Sequence, residues 1–323
     1  MTMYPRALAA LCLMACAPLS AEEAVEATAN MNDTEVTVRA DHVAGSVYMI
    51  TGRGGNIGVS IGDDGVFMID DQYAPLTPAI REVVGRLSDE PIRFVLNTHW
   101  HSDHIGGNES LGGTGSVIVA HDNVRQRMST EQVMAFFGRT VPPSPDAALP
   151  VVTFSQGVTF HFNGDTIHAI HLPSAHTDGD AVVHFVEADV VHMGDIFWSN
   201  QYPFIDTGSG GSTRGTIAAV DAVIAKISES TKVIPGHGTE VSDRADLWSI
   251  GMPIVLIGQL VLLMGFILQL DRLWHEGRDT SDKLEHVDQR LDELKTTTSL
   301  IGTSHTSGAN RFYSHLAGGA NPP

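Results

Sequence analysis

The sequence 97-NTHWHSDHIGG-107 places three histidines and one aspartate within six consecutive positions. A strand-like run, IRFVLNT, comes directly before them and two glycines come after. In a loop that follows a strand, alternate side chains can point into one pocket, and neighbouring ligands can face different ions. Zinc binds neutral imidazole nitrogen strongly, and a carboxylate oxygen can serve a second ion. We therefore predict a metal site that includes His99, His101, Asp103 and His104.

Three further candidate ligands lie at or just after strand-like runs later in the chain. His176 lies in HLPSAHTDGD, Asp195 in VVHMGDIFW and His237 in VIPGHG. The ends of strands are where α/β proteins place site residues. Taken singly, each of the three has an ordinary interpretation as a surface-loop or turn residue. Taken with the first cluster, they predict a single composite site.

The N-terminal half of the sequence predicts antiparallel strands followed by α/β units. From Val43 to Tyr73, strand-like runs alternate with turns, and the clearest turn is at 63–65, Asp-Asp-Gly. Apolar residues at helical spacing behind a Thr-Pro start predict an amphipathic helix over 77–87. A second helix is expected near 123–128, followed by a proline-containing loop over 140–150.

The second half repeats this arrangement. Five strand-like runs lie between residues 151 and 195, and a helix is expected over 216–227 before the final run TKVIPGHG. Residues 210–213, Gly-Gly-Ser-Thr, resemble a flexible loop that opens this helix. Two β-rich halves, each ending in a helix and a strand, predict a layered α/β sandwich built on a pseudo-repeat.

Charge and cysteine content exclude some classes of function. The formal net charge is −19, with 19 Lys and Arg against 38 Asp and Glu, so we expect no nucleic-acid partner.

The two cysteines, Cys12 and Cys16, lie in an N-terminal segment with an apolar run over 7–19 and a small-residue exit at Ala21. We interpret residues 1–21 as a signal peptide, against the alternative of a short buried helix. Export to the periplasm would leave a mature chain without thiols, and lipidation at Cys16 stays open.

The sequence changes character after Asp246. Residues 247–270 contain no charge over 24 positions and could cross a bilayer core of about 30 Å. Trp248 and Trp274 lie near the two ends, and basic residues follow the segment, so we expect a transmembrane helix with its C-terminal end in the cytoplasm. The alternative is the last buried helix of the globular domain. Residues 271–323 are expected to form an amphipathic helix and a disordered tail, and the span or residues 284–294 could mediate self-association.

The motifs together resemble the metallo-β-lactamase superfamily, whose hallmarks are H-x-H-x-D-H, a later His, a bridging Asp and a terminal Gly-His. The resemblance covers roughly residues 43–241 and implies a four-layer αββα sandwich, here assigned to residues 35–246. It also implies two zinc ions: one held by His99, His101 and His176, a second held by Asp103, His104 and His237, and Asp195 bridging both.

Together with the predicted export, this resemblance implies a hydrolase that uses metal-activated water on a small-molecule substrate with an ester, thioester, lactone or β-lactam bond. Asp103 is the candidate for passing a proton to the leaving group.

One large subclass of β-lactamases has Cys at the position of Asp195 and Lys at the position of Trp198. The lack of both residues here argues against that subclass's mode of penicillin recognition. The chain also turns apolar within ten residues of His237, where a glyoxalase II continues into a glutathione-binding helical portion. Thioesterase activity of that kind is therefore not expected.

Two other functions compete with the dizinc hydrolase. One is a sulfur dioxygenase of the same superfamily, which uses one iron bound by two His and one Asp. The other is a non-catalytic, membrane-tethered metal-binding scaffold.

Around the expected site, we assign the substrate mouth to Trp198, Tyr202, Phe204 and Asp206, with core packing as the alternative for the three aromatic residues.

Overall fold

A computed structural model describes residues 24–199 and 201–247 of the chain. The predictions of a signal peptide at 1–21 and of a helical and disordered tail at 271–323 fall outside these residues. In the described part, the strands in chain order are β1 (Val25–Met31), β2 (Thr34–Ala44), β3 (Val47–Thr51), β4 (Ile57–Gly62), β5 (Gly65–Ile69), β6 (Ile92–Leu96), β7 (Val117–His121), β8 (Gln132–Met134), β9 (Arg139–Val141), β10 (Val152–Phe154), β11 (Gly157–Phe162), β12 (Asp165–His171), β13 (Ala181–Phe185), β14 (Val190–His192), β15 (Lys232–Ile234) and β16 (Ser242–Asp243). The α-helices are α1 (Thr77–Leu87), α2 (Ser102–Ile105), α3 (Asn108–Gly113), α4 (Asp122–Met128) and α5 (Thr213–Ile224).

Short 3₁₀ helices connect several of these elements: Ala74–Leu76, Ala135–Phe137, Asp146–Ala148, Gly194–Ile196 and Thr207–Ser209. The first sheet has the order β1-β2-β3-β4-β5-β6-β7-β10, and the second has the order β11-β12-β13-β14-β15-β16. Strands β8 and β9 pair only with each other, as a separate hairpin. The predicted pair of β-rich halves corresponds to two sheets, except that β10, the first strand of the second half, pairs with β7 in the first sheet.

Each sheet begins antiparallel and becomes parallel where the site residues lie. In the first sheet, β5, β6, β7 and β10 run parallel to one another. In the second sheet, β14 and β15 are parallel neighbours. The carboxyl ends of neighbouring parallel strands meet at one edge of a sheet, so the loops after these strands are brought together.

The core separates into layers because strand side chains alternate between two faces. On β5, Val66 and Met68 pack with α1 on the outer face, whereas Phe67 and Ile69 face the second sheet. Helix α5 covers the outer face of the second sheet in a third cluster. This arrangement of helix, sheet, sheet and helix confirms the predicted layered α/β sandwich.

The structure refines several element boundaries. The helix predicted over 77–87 is confirmed at those bounds. The helix expected over 216–227 instead spans Thr213–Ile224, because the Ser212 hydroxyl accepts a hydrogen bond from the backbone N–H of Gly215 and caps an earlier start. Strands β1 and β2, which pair along their length, extend the first sheet N-terminally of residue 35.

None of the helices in the described residues is long and apolar enough to cross a membrane. Leu247, the first residue of the span predicted over 247–270, is fully buried and packs in the cluster that contains α5. Residues 248–270 lie outside the described part of the chain, so the span itself stays a prediction.

Candidate metal centre

The seven candidate ligands follow the carboxyl ends of four strands. His99 and His101 lie in the loop after β6, Asp103 and His104 lie in the short helix α2 that follows it, and His176 follows β12. Strands β14 and β15 pair His192 with Ile234, and Asp195 and His237 each come three residues beyond these partners. The parallel register of β14 and β15 thus brings Asp195 and His237, which are distant in sequence, to the same point.

The structure brings all seven side chains together in two groups whose ligand atoms lie within 4.8 Å of one another. The first group is His99, His101, His176 and Asp195, and the second is Asp103, His104 and His237. In the first group, Nε2 of His176 lies 2.9 Å from Nδ1 of His101. In the second, Nε2 of His237 lies 3.3 Å from an oxygen of Asp103 and 3.4 Å from Nε2 of His104.

Asp195 connects the two groups through its two carboxylate oxygens. Its Oδ2 lies 3.6 Å from Nε2 of His176 and 3.9 Å from Nε2 of His99. Its Oδ1 lies 3.1 Å from Nε2 of His104 and 3.4 Å from Nε2 of His237. One oxygen therefore faces each group, which is the arrangement that a bridging ligand requires.

A surrounding set of hydrogen bonds holds the ligand imidazoles by their other nitrogens. Nδ1 of His104 lies 2.8 Å from a carboxylate oxygen of Asp70, and Nδ1 of His176 donates to the backbone oxygen of Phe204 at 2.7 Å. Nε2 of His101 lies 3.0 Å from Oδ2 of Asp206. Because carboxylate and carbonyl oxygens only accept, these contacts place the proton on the outer nitrogen and leave the inner nitrogen free to ligate.

The unpaired atoms in the centre fit a bound cation. Nε2 of His99 and Oδ1 of Asp195 are buried, and neither has a hydrogen-bond partner of good geometry among residues 24–199 and 201–247. Buried polar atoms are rarely left unpaired in folded proteins, and a positive ion would satisfy both. Imidazole and carboxylate together form a donor set that suits zinc.

Two glycines permit the close packing around the centre. A Cβ atom on Gly55 would lie 2.0 Å from the His104 ring, and a Cβ atom on Gly236 would lie 2.3 Å from Oδ1 of Asp195. Any larger residue at either position would displace a candidate ligand. The Gly-Gly at 54–55 and the Gly before His237 therefore serve the site by leaving space.

The two groups differ in their affinity for protons. Burial lowers the pKa of His99 well below its ordinary value and lowers that of His176 to about 4. Burial also opposes protonation of His237, but the nearby carboxylates of Asp103 and Asp195 raise its pKa to about 9. His99 and His176 are thus prepared as neutral imidazoles, whereas at His237 a cation would compete with protons that the carboxylates favour.

Asn56 is a residue that the sequence interpretation missed. Its side-chain amide donates to the backbone oxygens of Pro235 and Gly238, at 3.0 and 2.9 Å, on either side of His237. Asp70 was also missed, although it holds His104. Both residues precede or follow ordinary strands, so only their distant partners identify them, and no local sequence motif does.

The residues assigned to the substrate mouth take different positions. Trp198 packs against His237 with ring centroids 4.6 Å apart, and Phe204 lies beside His176 at 6.2 Å. Tyr202 is 57% exposed. Asp206 is buried and holds His101 rather than lining the mouth.

Comparison with known proteins agrees with the fold. The family model described as the metallo-beta-lactamase superfamily matches residues 50–248, which is more than half of the 323 residues. The chain belongs to the metallo-beta-lactamase superfamily, as its motifs indicated.

Two relatives carry the name hydroxyacylglutathione hydrolase. The protein from Erythrobacter litoralis is 30% identical over 105 residues, which cover 32% of this chain and 34% of the relative. The protein from Pelagibacter ubique is 26% identical over 163 residues, which cover 49% of this chain and 57% of the relative. The matches thus span about a third and just over half of the relatives' lengths.

A solved metallo-beta-lactamase from Pontibacter korlensis has the same fold. It superposes with a TM-score of 0.53 at 16% identity, and the match covers 71% of this chain and 98% of that structure. At this level of identity, the likeness supports the fold alone.

Proposed function

We propose that the protein is a hydrolase that binds two zinc ions and cleaves an ester, lactone, β-lactam or similar carbonyl bond of a small molecule. The observation that carries this proposal is the position of Asp195, whose two oxygens face two separate groups of histidines. When two zinc ions are bound, they supply a water activated near neutral pH and a Lewis acid for the carbonyl oxygen. The protein's contribution is to orient the ligands and the reacting groups.

Asp103 is the residue we assign to proton transfer. Its side chain is 21% exposed, whereas that of Asp195 is 4% exposed, so Asp103 lies at the open side of the centre. Its carboxylate faces Nε2 of His237 at 3.3 Å. From this position it can hold a proton and pass it to the leaving atom of the substrate.

The names of the relatives support hydrolysis as the class of reaction. Both are hydroxyacylglutathione hydrolases, but the match covers at most 57% of either protein. Because hydroxyacylglutathione is a thioester, a thioester substrate belongs among the candidates beside esters, lactones and β-lactams. The apolar sequence that follows His237 argues against glutathione recognition but not against this bond type.

The sulfur dioxygenase alternative requires one iron with two His and one Asp as ligands. Seven candidate ligands in two groups favour two ions instead. The scaffold alternative needs neither the partly exposed Asp103 nor an open side of the centre. Export and membrane attachment remain part of the proposal, and they rest on the sequences of 1–21 and 247–270 alone.

Metal analysis combined with a substrate panel tests the proposed function. Purified protein should contain close to two zinc ions per chain and should hydrolyse at least one ester, thioester, lactone or β-lactam. Dipicolinate should abolish this turnover, and zinc should restore it. His101→Ala should lose metal and turnover, whereas the matched variant at an exposed histidine, His161→Ala, should keep both. One iron per chain, or turnover that survives chelation, would refute the proposal.

The role of Asp103 needs a separate test because the residue is also a candidate ligand. We expect Asp103→Asn to reduce kcat by about 10²-fold or more, with the largest losses for substrates that have poor leaving groups. The zinc content of the same preparation shows whether metal loss accounts for the change. Full metal with full turnover would remove the assigned role.

A further inference from the structure

Two exposed phenylalanines pack together beside the metal centre. Phe136 and Phe137, at the tip of the β8–β9 hairpin, are 79% and 54% exposed. Their rings pack against the ring of Phe204, with centroids 5.2 and 5.5 Å apart. We call Phe136, Phe137 and Phe204 the aromatic patch. Contiguous exposed apolar surface in a folded protein commonly marks a binding site.

Phe204 makes the aromatic patch continuous with the metal centre. Its backbone oxygen holds Nδ1 of His176, and its ring lies 6.2 Å from the His176 ring. The other two rings extend outward from this point. The patch therefore begins at a candidate metal ligand and ends in solvent.

Two arginines support the hairpin that carries the patch, one from within it and one from α4. The Arg139 guanidinium lies 5.6 Å above the Phe137 ring, and the side chain also contacts the sulfur of Met134. From α4, Arg127 donates to the side chain of Gln132 at 3.0 Å while it pairs with Asp178, two residues after His176. A preformed apolar surface loses little conformational entropy when it binds a ligand.

We propose that the aromatic patch binds the apolar acyl or aryl group of the substrate, so that the enzyme prefers carbonyl compounds with a long hydrocarbon or aromatic substituent. This inference rests on the proposed hydrolase function and specifies its substrate class. The position of Phe204 against His176 favours a substrate group over other occupants. A net charge of −19 also disfavours pairing with a second copy or with an anionic lipid surface.

The test is a comparison of p-nitrophenyl esters from acetate to octanoate with zinc-loaded protein. For the wild type, kcat/KM should rise with acyl length. In the double variant Phe136→Ser/Phe137→Ser, the ratio of kcat/KM for octanoate to that for acetate should fall by about tenfold, at equal zinc content. The matched control is Val151→Ser/Val186→Ser, which changes two other exposed residues, 71% and 41% exposed, and should keep the wild-type ratio. An unchanged ratio in the phenylalanine double variant would overturn the proposal.

A binding measurement separates failure of this inference from failure of the hydrolase function. Calorimetric titration with octanoate needs no turnover, and the phenylalanine double variant should bind octanoate at least tenfold more weakly than the wild type. If no ester, thioester, lactone or β-lactam is hydrolysed but this loss occurs, the hydrolase proposal fails and the patch remains an apolar ligand site. The inference would be overturned if the phenylalanine double variant bound octanoate as tightly as the wild type but no longer bound phosphatidylcholine vesicles, or no longer formed a dimer in sedimentation.

Discussion

Nε2 of His101 lies 3.0 Å from Oδ2 of Asp206, in a buried contact between residues 105 positions apart. The carboxylate keeps the proton on Nε2, so Nδ1 is the nitrogen that faces His176 and the first group of ligands. Hydrogen bonds from His101 and Ser209 lower the pKa of Asp206 despite its burial, which keeps the carboxylate charged. Asp206 is thus a positioning residue for a ligand rather than a ligand.

We predict that Asp206→Ala weakens zinc binding by about 10- to 100-fold, because His101 loses the partner that fixes its tautomer and orientation. Competition with a chromogenic chelator measures this affinity. Ser209→Ala is the matched control, since the Ser209 hydroxyl also donates to Asp206 but does not contact His101. The assignment fails if both variants lose the same affinity, because a general disturbance of the loop would then explain the effect.

Arg127 supports the hairpin that carries the aromatic patch. It forms two hydrogen bonds of 2.7 Å to the Asp178 carboxylate and a third to Gln132, and its side chain is 19% exposed. Lysine cannot reproduce this geometry although it keeps the charge. We expect Arg127→Lys to lower the Tm by about 2–4 °C and to accelerate chymotryptic cleavage at Phe136 and Phe137.

Arg86→Lys provides the comparison for Arg127→Lys, because the ion pair of Arg86 with Glu82 is about half exposed. Exposed pairs contribute little to stability. Its Tm and its cleavage pattern should match those of the wild type. Equal cleavage rates in all three proteins would show that Arg127 does not hold the hairpin.

The two sheets meet in a cluster of phenylalanines. Phe67 and Phe94 of the first sheet pack against Phe160 and Phe162 of the second, with Phe67 and Phe160 centroids 4.9 Å apart. Phe67 is fully buried, so Phe67→Ala should lower the free energy of unfolding by about 3–5 kcal/mol in urea. The same substitution at the exposed Phe136 should change it by about 0.5 kcal/mol or less. Comparable losses would show that Phe136 belongs to the core rather than to a binding surface.

The sequence was sufficient for features whose signal is local. Helix α1 has its start marked by Thr77 and Pro78 and its buried face marked by apolar spacing, so both ends were predicted. The ligand residues were recognised by their motifs and by their position after strands. Helix α5 was placed three residues late, because the capping hydrogen bond of Ser212 cannot be read from apolar spacing.

Features that depend on distant contacts could not be predicted from the sequence. Asp70 meets His104 across 34 positions, and Asn56 meets Pro235 across 179. Strand β2 was not predicted, since polar residues such as Thr37 and Arg39 interrupt its apolar residues and its place in the sheet comes from pairing with β1 and β3. The hairpin of the aromatic patch was missed because its strands have three residues each.

A stacked pair of histidines outside the metal centre should make stability depend on pH. The rings of His121 and His171 lie 3.7 Å apart and nearly parallel, and Nδ1 of His171 contacts the backbone oxygen of Asp180. Burial and the neighbouring His121 lower the pKa of His171 to about 4. An unfolded histidine has a pKa near 6.5, so between about pH 6.5 and 4 the unfolded state binds more protons and the folded state loses stability as pH falls.

We therefore predict that His171→Asn reduces this pH dependence. Asparagine keeps a donor near the position of Nδ1 but cannot be protonated, so the variant should be less stable than the wild type at pH 7.5. Because only the wild type loses the contribution of His171 on acidification, the difference in unfolding free energy should shrink by up to about 3 kcal/mol between pH 7.5 and 4.5. Urea unfolding across this range measures the difference, with His161→Asn, at an exposed position, as the control. A difference that stays constant with pH would mean that His171 titrates alike in both states, and the stacked pair would then have no part in acid sensitivity.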